Sequence, residues 1–204
     1  MLRPILFAAA ALFMLAAPIQ AQAQGVESYT LDTPHTQIMF AVSHMGFSHS
    51  IGKFLGYSGG FTFDRSHPEK STVDVTIDTA SIDLGDQKWN DHMKNSDFFN
   101  VEKYPTMTFK STGVVVTGEN TADITGDLTL LGVTKPVVLS VVHNKSGPRP
   151  IGEQFVAGFS AIAKIKRSDF GMNYGIGMIG DEVDIRIEVE GNQVGYKGAS
   201  KDKE

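Results

Sequence analysis

A two-residue period in the apolar positions constrains the fold of this chain more than any other feature. From Val183 to Glu190, apolar and charged residues alternate without interruption. This pattern is typical of a β-strand with one face in contact with water. Similar alternation recurs between turn-forming stretches over 38–44, 73–78, 106–110, 123–130, 137–141 and 155–165, with further β-rich stretches at 28–33 and 54–63. About eight or nine strands of this kind predict an all-β, antiparallel sandwich or barrel.

One segment, residues 85–96, follows a helical period instead. Trp89, His92, Met93 and Ser96 recur at spacings that place them on one face of a helix. Asp86 precedes them and is a good N-cap residue. The sequence therefore predicts one short helix after the fourth strand, with Trp89 on its apolar side.

The two ends of the chain differ in composition from the region between them. A short apolar run over residues 5–17 follows Arg3, and Ala21 and Ala23 then match a signal-peptidase cleavage pattern. The run is too short to span a bilayer. We expect a signal peptide over residues 1–23, a single β-domain over 24–196 and a disordered tail over 197–204, which is small and charged.

Composition and motifs exclude several chemistries. The chain contains no Cys and carries a formal net charge of −5, which excludes thiolate chemistry and argues against a nucleic-acid surface. The segment Gly175–Gly180 fits a dinucleotide fingerprint, but a predicted strand follows it where a helix is required. A metal site built from His44, Asp91 and His92 has no supporting spacing, so we predict neither a metal nor catalytic residues.

Small residues on one predicted strand raise the question of whether the barrel is hollow. Ala157, Ala161 and Ala163 share a strand face, and small inward residues favour a barrel that holds a ligand. The alternative is that bulky side chains from across the core fill the space. The sequence does not decide between these two interiors.

A series of short motifs extends from Tyr29 to Glu190, across nearly the whole chain after the expected signal peptide. They are Tyr29-Thr30-Leu31-Asp32 with His35, His44-Met45-Gly46, Asp97-Phe98-Phe99, Tyr104-Pro105, Gly126-Asp127-Leu128-Thr129-Leu130, Gly132-Val133-Thr134-Lys135-Pro136 and Arg167-Ser168-Asp169-Phe170-Gly171-Met172. In this order the motifs resemble the YceI-like family of exported polyisoprenoid-binding proteins.

The resemblance implies an extended, lipocalin-like antiparallel barrel of about eight strands around a long apolar tunnel. It implies a periplasmic protein that binds a polyprenyl phosphate, an isoprenoid quinone or a similar amphiphile, uses no catalytic cofactor and contains no transmembrane segment after cleavage. A homodimer is compatible with it. The function it implies is transport or storage of the lipid; the alternative is an enzyme acting on such a lipid, with His44, Asp91, His92 or Arg167 as acid/base or anion-stabilising groups.

These considerations define the expected binding residues. We expect polar His44, His92 and Arg167 to contact the head group of the lipid. We expect the tunnel to be lined by Phe40, Val42, Phe54, Phe63, Val75, Ile77, Trp89, Met93, Phe98, Phe99, Phe109, Leu128, Leu139, Phe159, Ala161 and Met172.

The cleavage pattern predicts that the mature chain begins at Gln24. Intact-mass measurement of the protein recovered from the periplasm should give the mass of residues 24–204, because the small side chains of Ala21 and Ala23 fit the signal peptidase. A mass that retains Met1 would contradict both the cleavage and the expected export.

Overall fold

The fold consists almost entirely of antiparallel strands. A computed structural model describes residues 25–197 of the chain, and eleven strands and one α-helix occur in that region. They are β1 (Glu27–Leu31), β2 (Gln37–His44), β3 (Ser48–Phe54), β4 (Tyr57–Phe63), β5 (Thr72–Asp78), β6 (Ile82–Asp83), α1 (Gln87–Lys94), β7 (Thr106–Gly118), β8 (Thr121–Leu130), β9 (Val133–Pro148), β10 (Phe155–Lys166) and β11 (Ile179–Gln193).

Eight of these strands close into a barrel. Their order is β1-β4-β5-β7-β8-β9-β10-β11, and β1 pairs again with β11 to complete the ring. Strand β11 is long enough to have two partners on one edge, because residues 191–193 pair with β1 and residues 179–188 pair with β2. Strands β3 and β6 extend the sheet beyond β2. The predicted all-β antiparallel barrel with one short helix is confirmed.

The helix follows the sixth strand and not the fourth as predicted. The prediction missed two strands, because their sequences show no alternation of apolar and polar residues. Strand β3 begins with the polar run Ser48-His49-Ser50, and β6 contains only two residues. The predicted N-cap is present, since the carboxylate of Asp86 accepts a hydrogen bond from the backbone N–H of Trp89 at 3.0 Å. Within residues 25–197, no helix is both long and apolar enough to cross a membrane.

Aromatic side chains pack together at the end of the barrel where β1 and β10 begin. Tyr29, Phe63 and Phe155 form a cluster with Ala157, which is completely buried. The ring of Phe61 stacks on that of Tyr29 with centroids 5.0 Å apart. This stacking requires glycine at position 191, where a Cβ atom would lie 2.5 Å from the Phe61 ring. Ala157 therefore belongs to this aromatic cluster and not to the lining of a hollow interior.

An ion-pair network ties the β9–β10 connection to the junction between β1 and β2. The guanidinium of Arg149 donates to the carboxylates of Asp32 and, at 2.9 Å, of Glu190. Burial of Asp32 opposes its ionisation, but hydrogen bonds from Arg149 and His35 outweigh this and lower the pKa of the carboxyl group. Asp32 is buried, so the network fixes the point where the chain passes from β1 to β2.

Replacing Arg149 with Met should lower the free energy of unfolding by about 2 kcal/mol at neutral pH, because it leaves the buried Asp32 carboxylate without its main partner. The lowered pKa of Asp32 stabilises the fold above the unfolded-state pKa, and this contribution is lost as the pH falls through the folded-state value. Urea unfolding should therefore show a smaller effect of the substitution near pH 3. An equal effect at both pH values would contradict the ion-pair origin.

Candidate ligand-binding site

A cavity of about 420 Å³ lies inside the barrel. Its volume falls within the range of small-molecule sites, about 300–1,000 Å³. Inward-facing apolar residues from β2 and from all the ring strands between β4 and β11 line it. The alternation that predicted the strands also produces this lining, because it directs every second side chain to the interior.

The interior is hollow along β11. Val183, Ile185, Ile187 and Val189 all line the cavity and remain partly accessible. In a filled core these inward-facing side chains would be covered by atoms from opposite strands. The structure therefore favours the hollow barrel of the two interiors that the sequence left open.

Phenylalanine rings widen the cavity by lying over glycines in neighbouring strands. A Cβ atom on Gly52 would lie 2.4 Å from Cζ of Phe40, and one on Gly126 would lie 2.4 Å from Cζ of Phe109. Each ring thus occupies the space where the neighbouring strand lacks a side chain. Both rings remain part of the cavity lining, and the central space stays open.

The cavity reaches solvent beside the turn between β7 and β8. Strand β5 pairs with β7 only as far as Lys110, so the rest of β7 pairs with none of the described strands on that side. The loop 64–71 lies beside it and contributes Arg65, Pro68 and Ser71 to the lining. We call these three residues, together with the turn residues Gly118, Glu119, Asn120 and Thr121, the mouth. Apart from Val116, all the solvent-exposed residues of the lining lie in this turn.

The opposite end of the cavity is covered by α1 and the segments near it. Met93, Phe99 and Met172 line the cavity there, and the last two are buried. Phe99 also packs edge-on against Phe54, with ring centroids 5.5 Å apart. The cavity is therefore open to solvent at the mouth and covered by protein at the helix end.

Most of the expected lining residues face this cavity. Of the sixteen residues predicted from the sequence, all except Trp89 and Phe98 line it. Trp89 is half exposed on α1, and Phe98 is buried against the rings of His92 and Tyr174. Trp89 therefore lies outside the cavity lining, because the period of so short a helix does not say what covers each face; its contact with a ligand stays a prediction. That the lining residues contact a lipid stays a prediction.

The expected head-group residues do not form one site. His44, at the end of β2, and His92, on α1, are absent from the cavity lining. The Nε2 atom of His92 lies 3.5 Å from the Asp97 carboxylate. Asp91 does not join these two histidines in a metal-binding group; the group that the described residues form is Asp32, His35 and Glu190, where the Arg149 guanidinium already pairs with both carboxylates.

Arg167 lines the covered end of the cavity but is held by backbone carbonyls. Its guanidinium donates to the carbonyls of Gly180 at 2.8 Å and Met172 at 3.0 Å, and to those of Tyr174 and Ile179. Four of its five N–H groups are thereby used. Burial lowers its pKa. We therefore assign Arg167 to fixing the glycine-rich loop before β11, which also explains that loop without a nucleotide.

Sequence reasoning missed the polar residues of the mouth. Arg65, Ser71 and Glu119 lie in a loop or a turn, where no period reports which way a side chain points. His143 lies on β9 and lines the cavity, where its ring contacts those of Phe63 and Phe159. The alternation of β9 includes this residue, but only the pairing of the strands places it near the mouth.

Comparison with known proteins identifies the family. The model of the YceI-like domain matches residues 29–191. This chain belongs to the YceI-like family. A YceI-like relative from Ectopseudomonas mendocina, named "UPF0312 protein", is 41% identical over 186 residues, covering 90% of this chain and 96% of the relative. "Protein YceI" of Escherichia coli is 43% identical over 159 residues, which is 78% of this chain and 82% of that protein.

Solved structures of the YceI-like fold agree with the barrel described above. BcnA of Burkholderia cenocepacia has a TM-score of 0.70 at 28% identity, covering 78% of this chain and 98% of that one. The YceI protein of Campylobacter jejuni has a TM-score of 0.66 at 35% identity, with coverage of 74% and 88%. A polyisoprenoid binding domain from Saccharophagus degradans, at 17% identity, has a TM-score of 0.64 over 82% of this chain and 99% of that domain.

Two alanines on β10 provide a matched test of the hollow interior. Ala161 lines the cavity, whereas Ala157 is fully buried in the aromatic cluster. Ala161→Trp should place its ring in the cavity and leave the melting temperature nearly unchanged. Ala157→Trp should overpack the cluster and cost about 1–3 kcal/mol or more. Thermal unfolding of the ligand-free proteins measures both. Equal destabilisation by the two substitutions would show that the interior at Ala161 is filled.

Proposed function

We propose that this chain is an exported binding protein that holds a long-chain isoprenoid lipid in the barrel cavity, for transport or storage. The observation that carries the proposal is the shape and chemistry of the cavity, which is apolar along the barrel, covered at the helix and open at a polar mouth. Such a site suits a molecule with a long apolar tail and a small polar head. The fold neighbour from Saccharophagus degradans, described as a polyisoprenoid binding domain, supports the same ligand class.

The energetics of an apolar tail are sufficient for this role. Each buried CH₂ group contributes about 0.8 kcal/mol, so a tail of ~20 carbons contributes roughly 16 kcal/mol before costs. Association and ordering cost about 4–15 kcal/mol. When the cost is below about 8 kcal/mol, the remainder corresponds to roughly micromolar or tighter binding without any ion pair to the head group.

The polar groups of the cavity favour binding over catalysis. Arg167 is engaged by four backbone carbonyls, and the Nε2 atom of His143 lies 2.8 Å from the Ser146 hydroxyl. Burial, and then the nearby Arg65, lowers the pKa of His143. Groups that are occupied by the protein's own atoms are poorly suited to act as acids or bases on a substrate. A binding protein accounts for them better than the enzyme alternative does.

Export to the periplasm forms part of the proposal. The expected signal peptide, residues 1–23, lies outside the described residues, as does nearly all of the expected tail. The apolar run and the alanine pattern of the sequence support export, and the mass measurement described above tests it.

Extraction of the protein purified from its host tests the binding function. Mass spectrometry of an organic-solvent extract should detect an isoprenoid lipid close to one molecule per chain, because a tail buried in the cavity remains bound during purification. Ala161→Trp, prepared in the same way, should contain much less. Absence of lipid from the wild-type protein, or equal amounts in both proteins, would contradict the proposal, and conversion of added lipid into a product would favour the enzyme.

A further inference from the structure

The charge balance of the mouth distinguishes between classes of head group. Of the residues lining the cavity, the ionisable ones are Arg65, Glu119 and His143 towards the mouth and Arg167 at the covered end. Arg65 is the cation among the three near the mouth, so its pairing decides whether an anionic head group finds a positive charge there.

Arg65 is already neutralised by a protein carboxylate. Its Nη2 atom donates to both oxygens of Glu27, at 3.0 and 3.3 Å. The Glu27 side chain is only 11% exposed, and the hydroxyl of Tyr29 donates to it at 2.5 Å. Three hydrogen bonds therefore hold the Glu27 carboxylate in place beside the Arg65 guanidinium. The ion pair carries no net charge, so it does not attract a phosphate group electrostatically.

The other ionisable residues that line the mouth do not restore a positive charge. Burial of His143 lowers its pKa, which keeps the ring neutral at physiological pH. Glu119 is exposed in the β7–β8 turn and contributes a negative charge. A phosphate or diphosphate placed here would meet a neutral pair and an acidic side chain, and its burial would lack compensation.

The Nε donor of Arg65 is buried and has no protein partner among the described residues. A buried N–H group without a partner is costly unless an acceptor completes it. The guanidinium carbon also lies 4.8 Å from the centre of the Phe155 ring. The ring therefore helps to hold the Arg65 side chain in place, while the Nε–H group has no protein acceptor within residues 25–197. A neutral oxygen is a suitable acceptor for it.

We infer that the mouth selects an uncharged head group with a hydrogen-bond-accepting oxygen, such as a quinone carbonyl, and disfavours a phosphate. The inference rests on the proposed function, because it concerns the head of the lipid whose tail occupies the cavity. Arg65 would donate from Nε to the head-group oxygen, and Glu27 would exclude anions by neutralising the only nearby cation that lines the mouth among the described residues.

Ligands that share one tail test this selection. The probes are a ubiquinone with a geranylgeranyl-length side chain, geranylgeraniol and geranylgeranyl phosphate, titrated into the delipidated full chain. The quinone and the alcohol should bind at least about tenfold more tightly than the phosphate. A phosphate that binds as tightly as the alcohol would overturn the inference and leave the proposed function intact. Failure of all three to bind would contradict the proposed function itself.

Two substitutions separate the roles of charge and donor. Glu27→Gln leaves Arg65 without its counter-charge and should improve the phosphate-to-alcohol affinity ratio by about tenfold. Arg65→Lys keeps the charge beside Glu27 but removes the Nε–H donor, so it should weaken the quinone by several-fold and leave the phosphate-to-alcohol ratio unchanged. Affinity ratios measured within one variant cancel general effects on folding.

Glu182→Gln is the matched control, because it removes a carboxylate that is 58% exposed on β11 and does not line the cavity. It should leave every affinity ratio at the wild-type value. A Glu27→Gln protein whose phosphate-to-alcohol ratio equals that of Glu182→Gln would refute the role assigned to Glu27, and an unchanged quinone affinity in Arg65→Lys would refute that of the Nε donor.

Discussion

The division of β11 between two partners is the constraint on which the rest of the structure depends. Its last residues pair with β1 to close the eight-stranded ring, and its earlier residues pair with β2. The chain therefore has to leave β1 and enter β2 along the same edge. The buried Asp32 lies at this point, where its N–H donates to the carbonyl of Glu190 at 2.8 Å and its carboxylate pairs with Arg149. Without this junction the sheet would present open edges to solvent, where strands of other chains pair readily.

Closure alone does not produce a cavity, because a barrel of eight strands is narrow enough for side chains to fill. This chain keeps the space open with small residues on β10 and with phenylalanine rings that lie over glycines. Gly52 accommodates Phe40 and Gly126 accommodates Phe109. The large aromatic clusters lie towards the two ends, one around Tyr29 and Phe155 beside the mouth and the other beneath α1.

Much of the barrel was predictable because alternation reports directly which face of a strand is buried. The inward residues of β11 and most of the lining, including Phe159 and Leu139, follow from it. The rest was not predictable, because there the period does not report the direction of a side chain. Strand β3 begins with polar residues, Trp89 lies on a helix too short to define its covered face, and Arg65 lies in a loop. Arg167 was expected to contact a head group, and the side-chain pattern does not reveal the backbone carbonyls that hold it.

A cavity that is open to solvent at one end and covered at the other defines a direction along the barrel axis. A tailed lipid seated as proposed would enter with its tail first and leave with its head first, so the mouth would be the site of both steps. The distance from the mouth to Met93 and Phe99 would then act as a ruler. Tails shorter than this distance leave apolar wall uncovered, and longer ones expose apolar carbon to water. The barrel would thus measure chain length without any residue that recognises the end of the chain.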